Sequence, residues 1–492
     1  MASDLESCLN CGFIKSTATL HLPSFPRHLL TTNDPPTDVE VAEIRDIIDY
    51  LQARISNLDA SINNVEDLLA KLRSRRKFVV EDIHRGSTIL SIIRRLPADV
   101  WGQIFSYTIP DVPRRRATDR SPWVLGRVCG RWREITISLS TLWSHLDTNI
   151  PVPLLTEQLK RSKGCGLTVR LVYSETAALN PLVACSSRWE TVDIQMGVNM
   201  VAILEHIHGK VPMLRRLKCS DSTGIGPCTA FQIAPNLSSV LLNGKPSLRL
   251  PWTQLKRLRQ RISQIADFSQ LGSARNLVEL SLTNSVPLTL SLAQARGLPE
   301  SILEFPVLRL LYVEDGDFLN FLVLPALEDI YISRCPPPLT SLIDRSLCRL
   351  RKITSIDPNV EIVPVLDRAP TLLEIRVRLT VDELEHLVSY LTIPLDSEIA
   401  SRPPCPELRA ISFCNALNED QSMLLVQMVE SRRHSAACSG LSTCRIFDVV
   451  QSKIAGHAGK MLDALRDRGT DAEWLPEKSA RRKLIEWVDE YP

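Results

Sequence analysis

Residues 306–313 read PVLRLLYV and residues 325–332 read PALEDIYI, and these two stretches set the pattern for the second half of the chain. In each, a proline is followed by three apolar positions at a fixed spacing, Leu308-Leu311-Val313 and Leu327-Ile330-Ile332. The last two are two residues apart, the spacing at which side chains of a strand share one face. Working outward, the phrase recurs at Trp189-Val192-Ile194, Leu214-Leu217-Cys219, Leu237-Val240-Leu242, Leu277-Leu280-Leu282, Leu372-Ile375-Val377 and Leu408-Ile411-Phe413. Weaker copies start at Leu255 and Leu350. In five of the eight clear copies Pro212, Pro235, Pro306, Pro325 and Pro406 stand two before the first apolar residue. Proline suits the entry to a strand, where no ladder N–H is lost. Between copies, Met200–His208, Val381–Leu391 and Gln421–Arg433 carry apolar residues at spacings of three and four, which predicts helices.

Counting the weaker copies, the steps from Leu214 are 23, 18, 22, 31, 19, 23, 22 and 36 residues. This period resembles that of leucine-rich repeats, in which strand, turn and helix stack into a solenoid with parallel strands on its concave side. The asparagine that usually closes such a phrase is displaced: Asn243 falls one residue after the third apolar position and Asn284 two after it. An irregular leucine-rich-repeat-like solenoid is therefore expected over 149–452, with a conventional α/β domain as the alternative. Residues 453–492 are expected to form a helical cap, with Trp474 and Trp487 available to close the last repeat.

Toward the N-terminus, residues 1–37 read as a loose lead-in interrupted by Pro23, Pro26, Pro35 and Pro36. Residues 38–95 read as a coiled-coil helix: Val41, Ile44, Ile48, Leu51, Ile55, Leu58, Ile62, Val65, Leu69 and Leu72 alternate at three and four. Residues 41–72 either pair with a second copy, giving a homodimer, or fold back on a neighbouring element. Ile48, Ile55 and Ile62 at the first heptad position with Leu51 and Leu58 at the fourth suggest a parallel two-stranded coil. Arg73, Arg75, Arg76 and Lys77 end the clean seam and read as a solvated helical face, and Gly86 and Ser87 are expected to loosen the helix.

Residues 96–146 read LPADVWGQIFSYTIP, a polar insert, then PWVLGRVCGRWREITISLSTLWSHL. Pro97 suits a first helical turn and Asp99 the positive helix end, and three short helices packing around tryptophans are expected. Leu96-Pro97, Asp99, Val100-Trp101, Ile104-Phe105, Val128-Cys129, Arg131-Trp132-Arg133 and Leu142-Trp143 together resemble the F-box. Asp99 stands where glutamate is commoner, and the insert at 110–122 lengthens the spacer. The resemblance implies an F-box-like domain over 96–148 that docks on a Skp-type adaptor, and through it a cullin, by Leu96, Pro97, Val100, Ile104, Phe105, Val128 and Trp143. With the heptad helix ahead of it, the chain is similar to fungal-type F-box-like proteins. The expected fold class is thus mixed α/β, with a long N-terminal coiled-coil helix, a small three-helix F-box-like module and a repeat solenoid.

The expected function is substrate-recognition adaptor of an SCF-type cullin-RING ubiquitin ligase, with an unidentified target protein on the repeat surface. A non-ligase interaction scaffold is the alternative. The 58 basic and 56 acidic side chains nearly cancel, which gives no global field for nucleic acid or membrane, and neither partner is expected. Thirteen cysteines, mostly single, fit a reducing compartment, cytoplasmic or nuclear. Cys8-x-x-Cys11 lacks two further ligands at zinc spacing, and His206 and His208 are two apart on a helix, so neither a metal nor a cofactor is expected. No phosphate cradle, nucleophile elbow or zincin motif occurs, and no catalytic residue is assigned.

Overall fold

The computed structural model describes residues 23–109, 121–172, 176–197, 200–221, 227–244, 248–262, 270–284, 302–334, 339–358, 360–394, 403–414, 419–435, 438–447, 463–467 and 469–475, with the backbone at 6–7 and 14–15. The chain divides into two compact units, Met1–Pro97 and Ala98–Pro492.

In the first unit Asp38–Ile89 is one helix of 52 residues, about 78 Å long at ~1.5 Å per residue. Thr37 caps it, and the Glu40 carboxylate accepts the Thr37 N–H and hydroxyl, each at 2.8 Å. This satisfies an amide that the first turn cannot pair. Contrary to expectation the helix runs through Gly86 and closes with the Leu90 N–H donating to Gly86 O at 3.1 Å. One glycine costs a helix only about 1 kcal/mol, too little to stop it between good helix formers. No residue of this helix is buried. Ahead of it, the expected lead-in contains one short helix, Arg27–Thr31.

The second unit is mixed α/β and is dominated by a fourteen-stranded sheet from His145–Asp147 to Asp471–Leu475, in which every neighbouring pair is parallel. Strand order along the sheet is strand order along the chain. The register aligns the middle residue of each apolar phrase with the next: Leu217 with Val240, Val240 with Leu258, Leu258 with Leu280, Leu280 with Leu311, Leu311 with Ile330. The row continues through Ile353, Ile375 and Ile411. Every apolar residue of the eight clear phrases is buried, in one continuous core shared with the helices between them. The copies beginning at Leu255 and Leu350 look weak because their third positions, Gln260 and Ser355, are polar, yet both are buried in the same row.

The prolines act one step earlier than expected. The N–H of the first apolar residue donates to the carbonyl three residues back, Leu214 to Val211, Leu237 to Ala234, Leu308 to Phe305, Leu327 to Leu324 and Leu408 to Cys405, at 3.1–3.4 Å. Each proline therefore holds the second position of a β-turn, where its fixed φ is favoured, and the strand begins four residues after it. Pro370 belongs to the same set, with Leu372 donating to Ala369 O at 3.3 Å.

Three helices fall where the 3.6-residue period places them: Met200–Leu204, Val381–Leu391 and Glu419–His434. Arg432, on the last of these, is fully buried and donates to the carbonyls of Leu391, Pro404 and Cys405. The tail departs from the expected helical cap: its described part is a short helix at 463–467 and the strand Asp471–Leu475, paired in register with Thr443–Phe447. Trp487 lies outside the described residues.

Candidate interaction surfaces

The segment between Ala98 and Trp143 folds around two aromatic clusters. Helix Ala98–Ser106 turns Trp101 and Phe105 to one side, and helix Gly130–Ser138 brings Trp132 between them. Ring centroids stand 4.6 Å apart for Trp101–Trp132 and 4.9 Å for Phe105–Trp132. Gly102 permits close packing, since a Cβ there would meet Leu139 Cδ1 at 3.1 Å. The second cluster sets Trp123 edge-on to Trp143 at 5.0 Å, and the Trp143 indole N–H donates to Thr136 O at 2.8 Å. The Arg161 guanidinium covers both rings, 5.3 and 4.4 Å from their centroids. Arg161 ends the helix Val152–Arg161 that follows the first strand of the sheet, so these helices and the sheet share one packed unit. The expected boundary at 148/149 is not a structural break, because His145–Asp147 is already a strand of the sheet.

The expected docking residues separate into three groups. Phe105 and Trp143 are each 1% exposed and are core residues of the module; they support its surface from within and cannot themselves touch a partner. Ile104 and Val128 are 41% and 57% exposed, and Val100 is half-buried. Leu96, half-buried, and Pro97, exposed, follow the 3₁₀ turn Ile92–Arg95 and stand directly before the helix Ala98–Ser106. The insert 110–122 lies mostly outside the described residues, but its base is closed, with Thr108 Oγ1 donating to Ser121 Oγ at 2.9 Å. A loop whose ends meet leaves the flanking helices in place.

The sheet offers the larger surface. Alternation turns the residues between the apolar rows to the other face, where charges pair across neighbouring strands: Lys218 with Asp193 at 3.0 Å, Arg257 with Glu279 at 2.9 Å, and Arg445 with Glu473 at 3.6 Å. Midway this face is not open: Tyr312 and Tyr331 stack at 4.6 Å with planes 12° apart, and both are buried, as are Ser281 and Thr354 on the neighbouring strands. Burial pushes the Tyr331 phenol well above its usual range.

Searched by sequence, the chain matches no protein-family model and no curated protein.

The remaining candidates have structural roles. His206 Nδ1 faces Ala202 O and His208 Nδ1 faces Thr229 O, both at 2.9 Å. The Glu205 carboxylate accepts the Thr229 N–H and hydroxyl, and the hydroxyl bond first of all holds it below the usual glutamate range. Cys8 and Cys11 lie outside the described residues. Among the described residues no cluster of three or more His, Cys, Asp or Glu could hold a metal, and no helix is long and apolar enough to cross a membrane. The ten described cysteines are free thiols. Burial pushes Cys219, Cys405, Cys414 and Cys444 up to about 12, which keeps them protonated and unreactive.

Proposed function

We propose that this chain is a substrate-recognition adaptor of an SCF-type cullin-RING ubiquitin ligase. Its F-box-like module docks a Skp-type adaptor, and its parallel sheet, an irregular leucine-rich-repeat-like solenoid, presents a target protein with the face opposite the core. The observation that carries this is the composition of the helical segment. The elements that resemble the F-box follow one another in order, and Trp101 and Trp143 among them are buried while Ile104 and Val128 remain outside. Apolar side chains left at the surface beside a filled interior are what a docking face requires. One strand per repeat, in chain order with the middle apolar residues from Leu217 to Ile411 aligned, supports the solenoid. The chain brings recognition, and ligase chemistry comes from its partners.

Calorimetric titration of the full chain with a recombinant Skp-type adaptor tests this. Ile104→Asp with Val128→Asp places two carboxylates in the docking face while leaving both aromatic clusters intact. The expected loss is roughly 2–4 kcal/mol, about thirty- to a thousand-fold in Kd. Absence of binding by the wild-type chain would favour the scaffold, in which the same module serves another partner.

A further inference from the structure

The long helix raises a separate question, which does not depend on the ligase. Its seam residues Ile48, Ile55, Leu58 and Ile62 are exposed, as are Val65, Leu69 and Leu72, and none of the helix is buried. An uninterrupted apolar stripe on a helix of this length is the signature of a coiled coil. Isoleucine at the first heptad position and leucine at the fourth select two strands, but say less about direction. Direction is written on the flanks of the seam.

Take Ile48 as position a. The flank made by positions g and c then carries Glu40 and Glu43 at the start, Ile47 next, and Leu68, Lys71 and Arg75 near the end. The opposite flank, positions e and b, carries Arg45 and Asp49 at the start, Asp59 and Glu66 in the middle, and Arg73 and Lys77 near the end. In a parallel pair unlike flanks meet. Lys71 and Arg75 of each helix would lie beside Arg73 and Lys77 of the other, and Ile47 and Leu68 would face Gln52 and Arg73. Reversing one helix brings like flanks together. With Val41 of one helix level with Leu72 of the other, the whole clean seam pairs, Ile48 with Val65 and Ile55 with Leu58. In that register Ile47 meets Leu68, Glu43 meets Lys71, and Glu40, whose carboxylate also holds Thr37 and His28 at 2.8 Å, stands beside Arg75, at both ends of the pair. Exposed charges interact weakly one by one, so their number decides: a parallel pair has Glu40 beside Arg45 and Arg54 beside Asp59, whereas the antiparallel register has Glu40 beside Arg75, Glu43 beside Lys71 and Arg45 beside Glu66, and moves the basic ends of the seams apart.

We infer that the stripe is covered by a second copy of this chain, and that the two helices pair antiparallel with Val41 of each beside Leu72 of the other. The two Ile89 ends then stand on the order of 100 Å apart, against about 10 Å in a parallel pair.

The test uses the wild-type full chain. Light scattering at about 10 µM should give twice the chain mass. A zero-length carboxyl-to-amine cross-linker should join Lys71 to Glu43, or to Glu40, within the dimer. One helix cannot make that link with itself, since the 28 residues between positions 43 and 71 span about 42 Å. Lys71→Glu should weaken the antiparallel dimer about five- to tenfold, and adding Glu43→Lys should restore it to within about threefold. In a parallel dimer Lys71→Glu relieves repulsion and tightens the pair, so the sign alone decides. A monomeric mass, absence of the Lys71–Glu43 and Lys71–Glu40 links, or a tighter Lys71→Glu dimer would each overturn the inference.

Discussion

Ile55 and Ile353 are the same side chain in two regions of one chain: the first is 58% exposed on the long helix, the second fully buried in the strand Lys352–Ser355. Their surroundings explain the difference. In the sheet, each strand is flanked by neighbours that supply the other half of an apolar row, so the chain satisfies itself. Along the helix, a stripe repeating every seven residues faces nothing in its own 52 residues. A periodic apolar pattern thus states that burial is needed without stating what supplies it: the sheet answers from within, and for the helix we infer a second molecule.

Truncating both isoleucines sharpens the contrast most. Ile353→Ala leaves a cavity in a packed row and should lower the unfolding free energy of the sheet unit by about 2–5 kcal/mol, read by thermal or denaturant melting. Ile55→Ala should leave that transition within about 0.5 kcal/mol and act only on self-association. Equal effects on the sheet transition would erase the distinction.

Arg432 probes the sheet unit by chemistry rather than volume. Arg432→Met keeps most of the stem but leaves the carbonyls of Leu391, Pro404 and Cys405 without their donor. Unpaired buried acceptors are costly, and a loss of roughly 1–3 kcal/mol is expected in the same melt. A neutral result would mean that the cost of burying the charge cancels the bonds it makes.

The smallest effect is one of pH. Glu205 is held below its usual range, first by the hydroxyl bond from Thr229. A group with a depressed folded-state pKa stabilises the fold above its unfolded value and loses that contribution as pH falls through the folded one. Melting of the wild-type chain should therefore weaken progressively as pH drops below about 4.3, the ordinary glutamate value. Glu205→Gln should show less of that acid dependence, and an unchanged slope would remove Glu205 from the account.

Much of the sheet was legible because its apolar phrase carries its own spacing, and all eight clear copies proved to be buried rows. What escaped lay where the phrase uses small or polar residues. Leu441-Cys444-Ile446 fits the spacing with a cysteine at its middle position, inside the strand Thr443–Phe447, and the strand Asp471–Leu475 carries a small residue, the buried Ala472, in the same row. The expected docking residues were half legible. Motif order identifies Phe105 and Ile104 alike, but only packing against Trp132 separates the buried residue from the exposed one. Charge on the helix flanks was in the sequence from the start, and it is the ground for inferring a direction other than the one suggested by the isoleucine and leucine positions alone.

The most direct measurement of the central claim is assembly. The full chain, a Skp-type adaptor and the N-terminal part of a cullin would be mixed at micromolar concentration and resolved by size-exclusion chromatography with light scattering. The account predicts that all three co-elute with the wild-type chain, and that Ile104→Asp with Val128→Asp releases adaptor and cullin together while the melting of the chain is unchanged. A wild-type chain that is folded yet elutes alone, with adaptor and cullin bound to each other, would contradict it.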